Sequence, residues 1–141
     1  MDLIAFGQYE SGMLKSGILN PHINYLLSRV RHTNTVVISD RGFPFWPQIE
    51  TVDISLIDGL PTVLQVLQAL RGNFVVGKAW MAQEFLANND ELTRARFAEA
   101  LGGIPLVHES HVEFKKRVPN AIGLIRTGDT TQYANMILES A

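Results

Sequence analysis

Short runs of β-branched and aromatic residues alternate with amphipathic stretches along nearly the whole chain, and that alternation narrows the fold more than any other feature. Thr35-Val36-Val37-Ile38-Ser39, bounded by Asn34 and by Asp40-Arg41-Gly42, reads as a largely buried strand. Ahead of it, Asn20-Pro21 starts a helix, because Asn accepts from the first free amides and Pro at the first helical position forfeits no internal bond. Ile23, Leu26, Leu27 and Val30 recur on one face of that helix, which the pattern ends near Arg31. Ile49–Ile54 predicts a second strand, Pro61 to Gly72 a second helix, Phe74–Trp80 a third strand and Ala82–Ala87 and Glu91–Leu101 two more helices. Ile104–Glu109 follows as a strand, and the capping-box spacing of Ser110 and Glu113 places His111 in the first turn of a short helix to Arg117. Ala121–Thr127 and Ala134–Glu139 complete the series as strands separated by a Gly-Asp-Thr-Thr turn. The expected class is therefore α/β, a single domain whose central β-sheet is covered by helices.

Composition excludes several function classes. A chain of 141 residues fits one compact core. Its 12 basic and 14 acidic residues are dispersed, the longest basic run being Lys115-Lys116-Arg117, so no concentrated face for nucleic acid is expected. Cysteine is absent, which removes disulfides, thiolate metal sites and thiol nucleophiles. No stretch reaches the roughly 20 apolar residues of a membrane helix, and Met1–Gly12 lacks the charged start and apolar run of a signal peptide. A cytoplasmic protein without a membrane partner is expected. Residues 1–12 read as an N-terminal extension or leader, with Met13 as a possible natural start and 13–141 as the domain proper. Neither a G-x-G-x-x-G nor a P-loop nor a G-x-S-x-G occurs, so nucleotide and serine-hydrolase chemistry have no local support.

Polar residues at element ends remain: His32, Asp40, His111, Tyr133 and Asn135. From position alone each has a plain structural explanation: a helix-ending surface histidine, a turn aspartate, a strand start that packs and caps. His108 and His111 are three apart, but the expected strand-to-helix boundary between them points them away from each other, so no metal site is expected. The loop Phe43-Pro44-Phe45-Trp46 is unusually aromatic for a surface turn and suits packing or subunit contact better than a sugar platform.

Taken together, several segments resemble the ribose pyranase and fucose mutarotase family: Leu19-Asn20 with its helix, Arg31-His32-Thr33-Asn34-Thr35, the strand to Asp40, and Asp53 to Pro61. The likeness continues in His111-Val112-Glu113-Phe114-Lys115, Ile125-Arg126-Thr127-Gly128 and Tyr133-Ala134-Asn135-Met136-Ile137-Leu138, so that it runs from about Met13 to Leu138. The resemblance implies an isomerase acting on a free monosaccharide without cofactor, with His32 as catalytic acid and Asp40, His111, Tyr133, Ala134 and Asn135 as sugar ligands. It implies as well a ring-shaped homo-oligomer, pentamer or decamer, with sites between neighbouring subunits. Histidine at position 111 is similar to the pyranase branch, while Arg41 and the Phe43–Trp46 loop leave the choice of sugar open. A non-catalytic sugar-binding or transport-associated module of the same fold is the alternative.

Such chemistry moves only protons: an acid protonates the ring oxygen, a base takes the anomeric proton, and the opened aldehyde recloses. A histidine just beyond a helix C-terminus is favoured as imidazolium, and one in a first helical turn as neutral imidazole, so His32 and His111 are expected to take opposed roles.

Overall fold

The computed structural model describes residues 17–141. The readings made for residues 1–12 and Met13 lie outside the described residues. In chain order the elements are α1 (Pro21–Ser28), β1 (Thr35–Ser39), β2 (Glu50–Asp53), α2 (Val63–Arg71), β3 (Val76–Ala82), α3 (Gln83–Asn88), α4 (Glu91–Ala100), β4 (Leu106–Glu109), α5 (His111–Arg117), a 3-10 turn (Val118–Asn120), β5 (Gly123–Arg126) and β6 (Met136–Ser140).

The six strands form one sheet in the order β2-β5-β1-β6-β3-β4. β2, β5 and β1 are mutually parallel, as are β3 and β4, and β6 runs antiparallel between β1 and β3. Reversal of β6 has a geometric result: the C-terminal ends of the other five strands and the N-terminal start of β6 share one edge of the sheet. Asp40, Thr127 and Asn135 are delivered to that edge by β1, β5 and β6, and His111 follows β4 to it. The opposite edge carries the start of β1 and the end of β6.

Both faces of the sheet are covered, as the class requires. Successive residues of a strand point to opposite faces. Val36 and Ile38, Ala79 and Met81, and Met136 and Leu138 bury one face under Leu26 of α1, Leu67 and Leu70 of α2, Phe85 of α3 and Phe97 of α4. The residues between them, Val37, Trp80 and Ile137, with Leu124, bury the other face under Phe114, Val118 and Phe43. This second layer explains the aromatic loop: Phe43 turns inward, its ring 6.1 Å from that of Phe114 and edge-on to it, while Phe45 stays exposed.

Several boundaries differ from expectation. α1 stops at Ser28, not Arg31, so His32 stands three residues past the cap residue Arg29 and not directly behind the helix. Pro61 precedes α2, whose cap is Thr62, joined reciprocally to Gln65. β3 starts at Val76 and continues to Ala82 because β4 pairs with it up to the Ala82–Glu109 register. β6 starts at Met136, which puts Tyr133, Ala134 and Asn135 in the turn before it and not on the strand.

Candidate active site

A cavity of about 470 Å³ opens at the edge where the five strands end, lined by Asp40, Phe43, His111, Asp129, Tyr133 and Asn135 among others. The fold thus brings together four of the six residues singled out from sequence. Ala134 lies between two of them with its side chain wholly buried in the core, leaving its backbone as the part that could meet a ligand. His32 is exposed at the other edge of the sheet, where its Nδ1 lies 2.6 Å from the backbone oxygen of Ala141. The five residues of β1 separate it from Asp40 by roughly 16 Å of extended chain, beyond reach across one monosaccharide.

Asp40 leaves β1 with its backbone N–H donating to Oδ1 of the buried Asn135 at 2.8 Å, while its own Oδ1 accepts from the amide of Gly42 at 3.0 Å. The Arg126 guanidinium holds the following loop by donating to the carbonyls of Arg41 (3.2 Å) and Pro44 (3.1 Å). Burial pushes the Asp40 carboxyl above its usual value, and the Asp129 charge adds to this; the amides of Gly42 and Phe43 and the Arg126 charge oppose it. Ionising Asp40 therefore costs more than ionising a solvent-exposed aspartate, and its oxygens are suited to accepting hydrogen bonds from hydroxyl groups.

His111 occupies the first position of α5. Its ring stands edge-on to Tyr133 at 5.1 Å and to Phe43 at 6.0 Å, and stacks on Phe114 at 6.0 Å. Its Nδ1 is buried without a hydrogen-bond partner among the described residues. Burial lowers its pKa, and Lys115 lowers it further against the opposing charges of Glu84 and Asp40, so near neutral pH the imidazole is the neutral form. Tyr133 is held at φ +55 and Thr33, beside His32, at φ +67, a region that side-chain-bearing residues seldom occupy. Backbone strain of this kind concentrates at ligand-binding positions, and Tyr133 lines the cavity.

Asp129 was not singled out from sequence, where it reads as a turn residue in Gly-Asp-Thr-Thr. It is buried, and its carboxylate accepts from the amides of Val63 and Thr131, each at 2.8 Å, tying α2 to the cavity wall. Its carbonyl accepts from the Arg41 amide at 3.0 Å, which fixes the loop on the far side of Asp40. Among the described residues no group of three or more His, Asp or Glu side chains is placed to hold a metal ion, and Ser110 forms the strand-to-helix boundary between His108 and His111. Among the same residues, no helix is long and apolar enough to cross a membrane.

A profile of one protein family matches residues 13–141. The chain belongs to the RbsD / FucU transport protein family. Within the RbsD / FucU family, the D-ribose pyranase of Geobacillus kaustophilus is 39% identical to it, covering 91% of this chain and 93% of that protein. The D-ribose pyranase of Laribacter hongkongensis is 37% identical, covering 91% of this chain and 97% of that one. Among solved structures, Bacillus subtilis RbsD complexed with D-ribose is similar with a TM-score of 0.85 and 34% identity, over 92% of this chain and 98% of that chain. The fucose mutarotase from Streptococcus pneumoniae, in complex with L-fucose, shares the fold, with a TM-score of 0.73 at 18% identity over 91% and 98% of the two chains.

Proposed function

We propose that this chain is a monosaccharide ring isomerase that interconverts the pyranose and furanose forms, or the anomers, of a free sugar such as D-ribose. The observation that carries the reading is the convergence of Asp40, His111, Tyr133 and Asn135 on one cavity in a chain 39% identical to a D-ribose pyranase. Polar groups set among aromatic walls suit a sugar, whose hydroxyls need hydrogen bonds and whose C–H faces need apolar contact.

In this reading Asp40 and the Asn135 amide bind hydroxyls, and neutral His111 accepts a hydroxyl proton or shares it. His32 donates a proton to the ring oxygen; the bond from that oxygen to the anomeric carbon breaks as the anomeric hydroxyl gives up its proton, leaving the open-chain aldehyde. Attack by a different hydroxyl, or on the other face of the carbonyl, recloses the ring and returns the protons. The reading needs no cofactor.

The distance between His32 and the cavity within one chain is accounted for by a ring-shaped homo-oligomer, a pentamer or decamer, in which one protomer's His32 edge meets the neighbour's cavity. Exposed Phe45, Leu56 and Ile57 supply apolar surface for such contacts. The setting is the cytoplasm. The deciding measurement is NMR exchange between pyranose and furanose signals of several pentoses and hexoses with and without protein. Faster exchange for one of them supports the isomerase; binding without acceleration for any sugar would leave a sugar-binding module of the same fold.

A further inference from the structure

β3 and β4 are parallel neighbours with Ala82 opposite Glu109. Each strand passes into a helix within two residues, so the second residue of α3, Glu84, and the first of α5, His111, lie the same number of residues beyond paired positions. The Glu84 carboxylate accepts from the backbone N–H of His111 with both oxygens, at 3.0 and 3.1 Å, across 27 residues of sequence. The remaining capping of α5 is local, Ser110 accepting from Glu113 at 3.2 Å. α3 starts from Ala82, which has no capping side chain, and the acid in its first turn serves the neighbouring helix.

We infer that Glu84 is a positioning residue for the sugar site: by gripping the His111 amide it fixes the direction of the imidazole into the cavity and balances the charge around it. At the first position of a helix, side-chain direction follows the backbone, so a shift of the amide by a few tenths of an ångström swings the ring. The titratable and charged groups facing that ring are Lys115 on its own helix, Glu84 from α3, Asp40 from the end of β1 and Tyr133 from the turn before β6, with Arg41 and Asp129 lining the same cavity. Glu84 and Asp40 raise the His111 pKa where burial and Lys115 lower it. Removing the Glu84 charge therefore moves the imidazole titration to lower pH.

This inference rests on the sugar-isomerase reading for its kinetic consequence but not for its structural one, and the experiment separates the two. The probes are D-ribose and the four histidine imidazoles, followed by NMR in wild type, Glu84→Gln and Glu84→Ala, with His111 assigned by loss of its signals in His111→Gln. Glu84→Ala is expected to shift the His111 resonances and to raise KM about tenfold, the worth of one charge-assisted bond, with kcat changed much less. Glu84→Gln keeps an acceptor for the amide, so its KM returns to within about threefold of wild type, while its His111 midpoint falls. His111 signals and KM both unchanged in Glu84→Ala, whatever happens to the melting temperature, would make Glu84 a helix cap and nothing more. If Glu84→Ala does not fold, an unmoved His111 midpoint in Glu84→Gln overturns the inference by itself. If wild type neither binds nor interconverts any sugar, the functional reading fails, and the His111 titration still decides whether Glu84 governs that ring.

Discussion

His32 Nδ1 lies 2.6 Å from the backbone oxygen of Ala141, which serves as an acceptor. The proton of the neutral ring is thereby placed on Nδ1, and Nε2 becomes the nitrogen that gains and loses a proton. A ring so oriented can pass a proton through Nε2 with no change of tautomer.

His32→Ala should therefore lower sugar interconversion by roughly 10²–10⁴-fold, the usual worth of a positioned acid or base. The dissociation constant should rise by no more than about tenfold, or about 1.4 kcal/mol, because Asp40, His111, Tyr133 and Asn135 keep their contacts. NMR exchange and calorimetric titration read the two effects separately. Wild-type exchange rates in the variant would make His32 a structural residue.

A second prediction follows from the placement of His32 and Asp40 at opposite ends of β1. If neighbours complete each other's sites, His32→Ala and Asp40→Asn subunits should restore activity when unfolded and refolded together, since some mixed interfaces hold both wild-type residues. Two inactive variants that stay inactive in every mixture would place the whole reaction within one chain.

Asp40→Asn also has a stability signature. The folded-state pKa of Asp40 lies above its ordinary value of 3.8, so the protonated form is favoured by folding. That contribution is full below the ordinary value and is lost as pH rises through the folded-state pKa. At neutral pH the ionised carboxylate therefore weakens the fold, and Asn removes the burden while keeping an oxygen for the Gly42 amide. Melting temperature at about pH 7 should equal or exceed that of wild type, with the difference closing near pH 3, while sugar affinity falls about tenfold. A lower melting temperature at neutral pH would show that the carboxylate stabilises this loop.

Gly128 tests the support of the site. A Cβ there would meet the backbone carbonyl oxygens of Ile57 and Leu60, neither of which can rotate aside. Gly128→Ala should cost about 1–3 kcal/mol by overpacking. Weaker sugar binding should accompany the lower melting temperature, because the adjacent Asp129 loses its hold on Val63 and Thr131. Unchanged calorimetric melting would mean that the 54–61 segment shifts freely.

What the sequence made legible was whatever local chemistry decides. Asn20 accepts from the amides of His22 and Ile23, so the start of α1 is written in the stretch Asn20-Pro21-His22-Ile23. β1 was legible because it is covered on both faces and therefore reads as an unbroken β-branched run. Strand ends near Phe74 and Ala134 were displaced by two residues because pairing partners, not composition, set where a ladder begins. The Thr62–Gln65 cap was present in the sequence but masked by the stronger proline signal at Pro61. Asp129 and Glu84 went unnoticed for a different reason: their partners Val63 and His111 are 66 and 27 residues away, and no local pattern marks them. The separation of His32 from Asp40 was different in kind: the expected strand Thr35–Ser39 already stood between them, and the structure keeps those bounds.

β6 joins the two parallel groups of strands, and among the described strands it is also the last in the chain. During synthesis β1, β2 and β5 can pair, as can β3 and β4, but neither group touches the other in the sheet until residues 136–140 have left the ribosome. The segment that closes this seam carries Tyr133–Asn135 immediately before it. The cavity wall that Tyr133 and Asn135 supply is therefore set by the pairing of the last described strand.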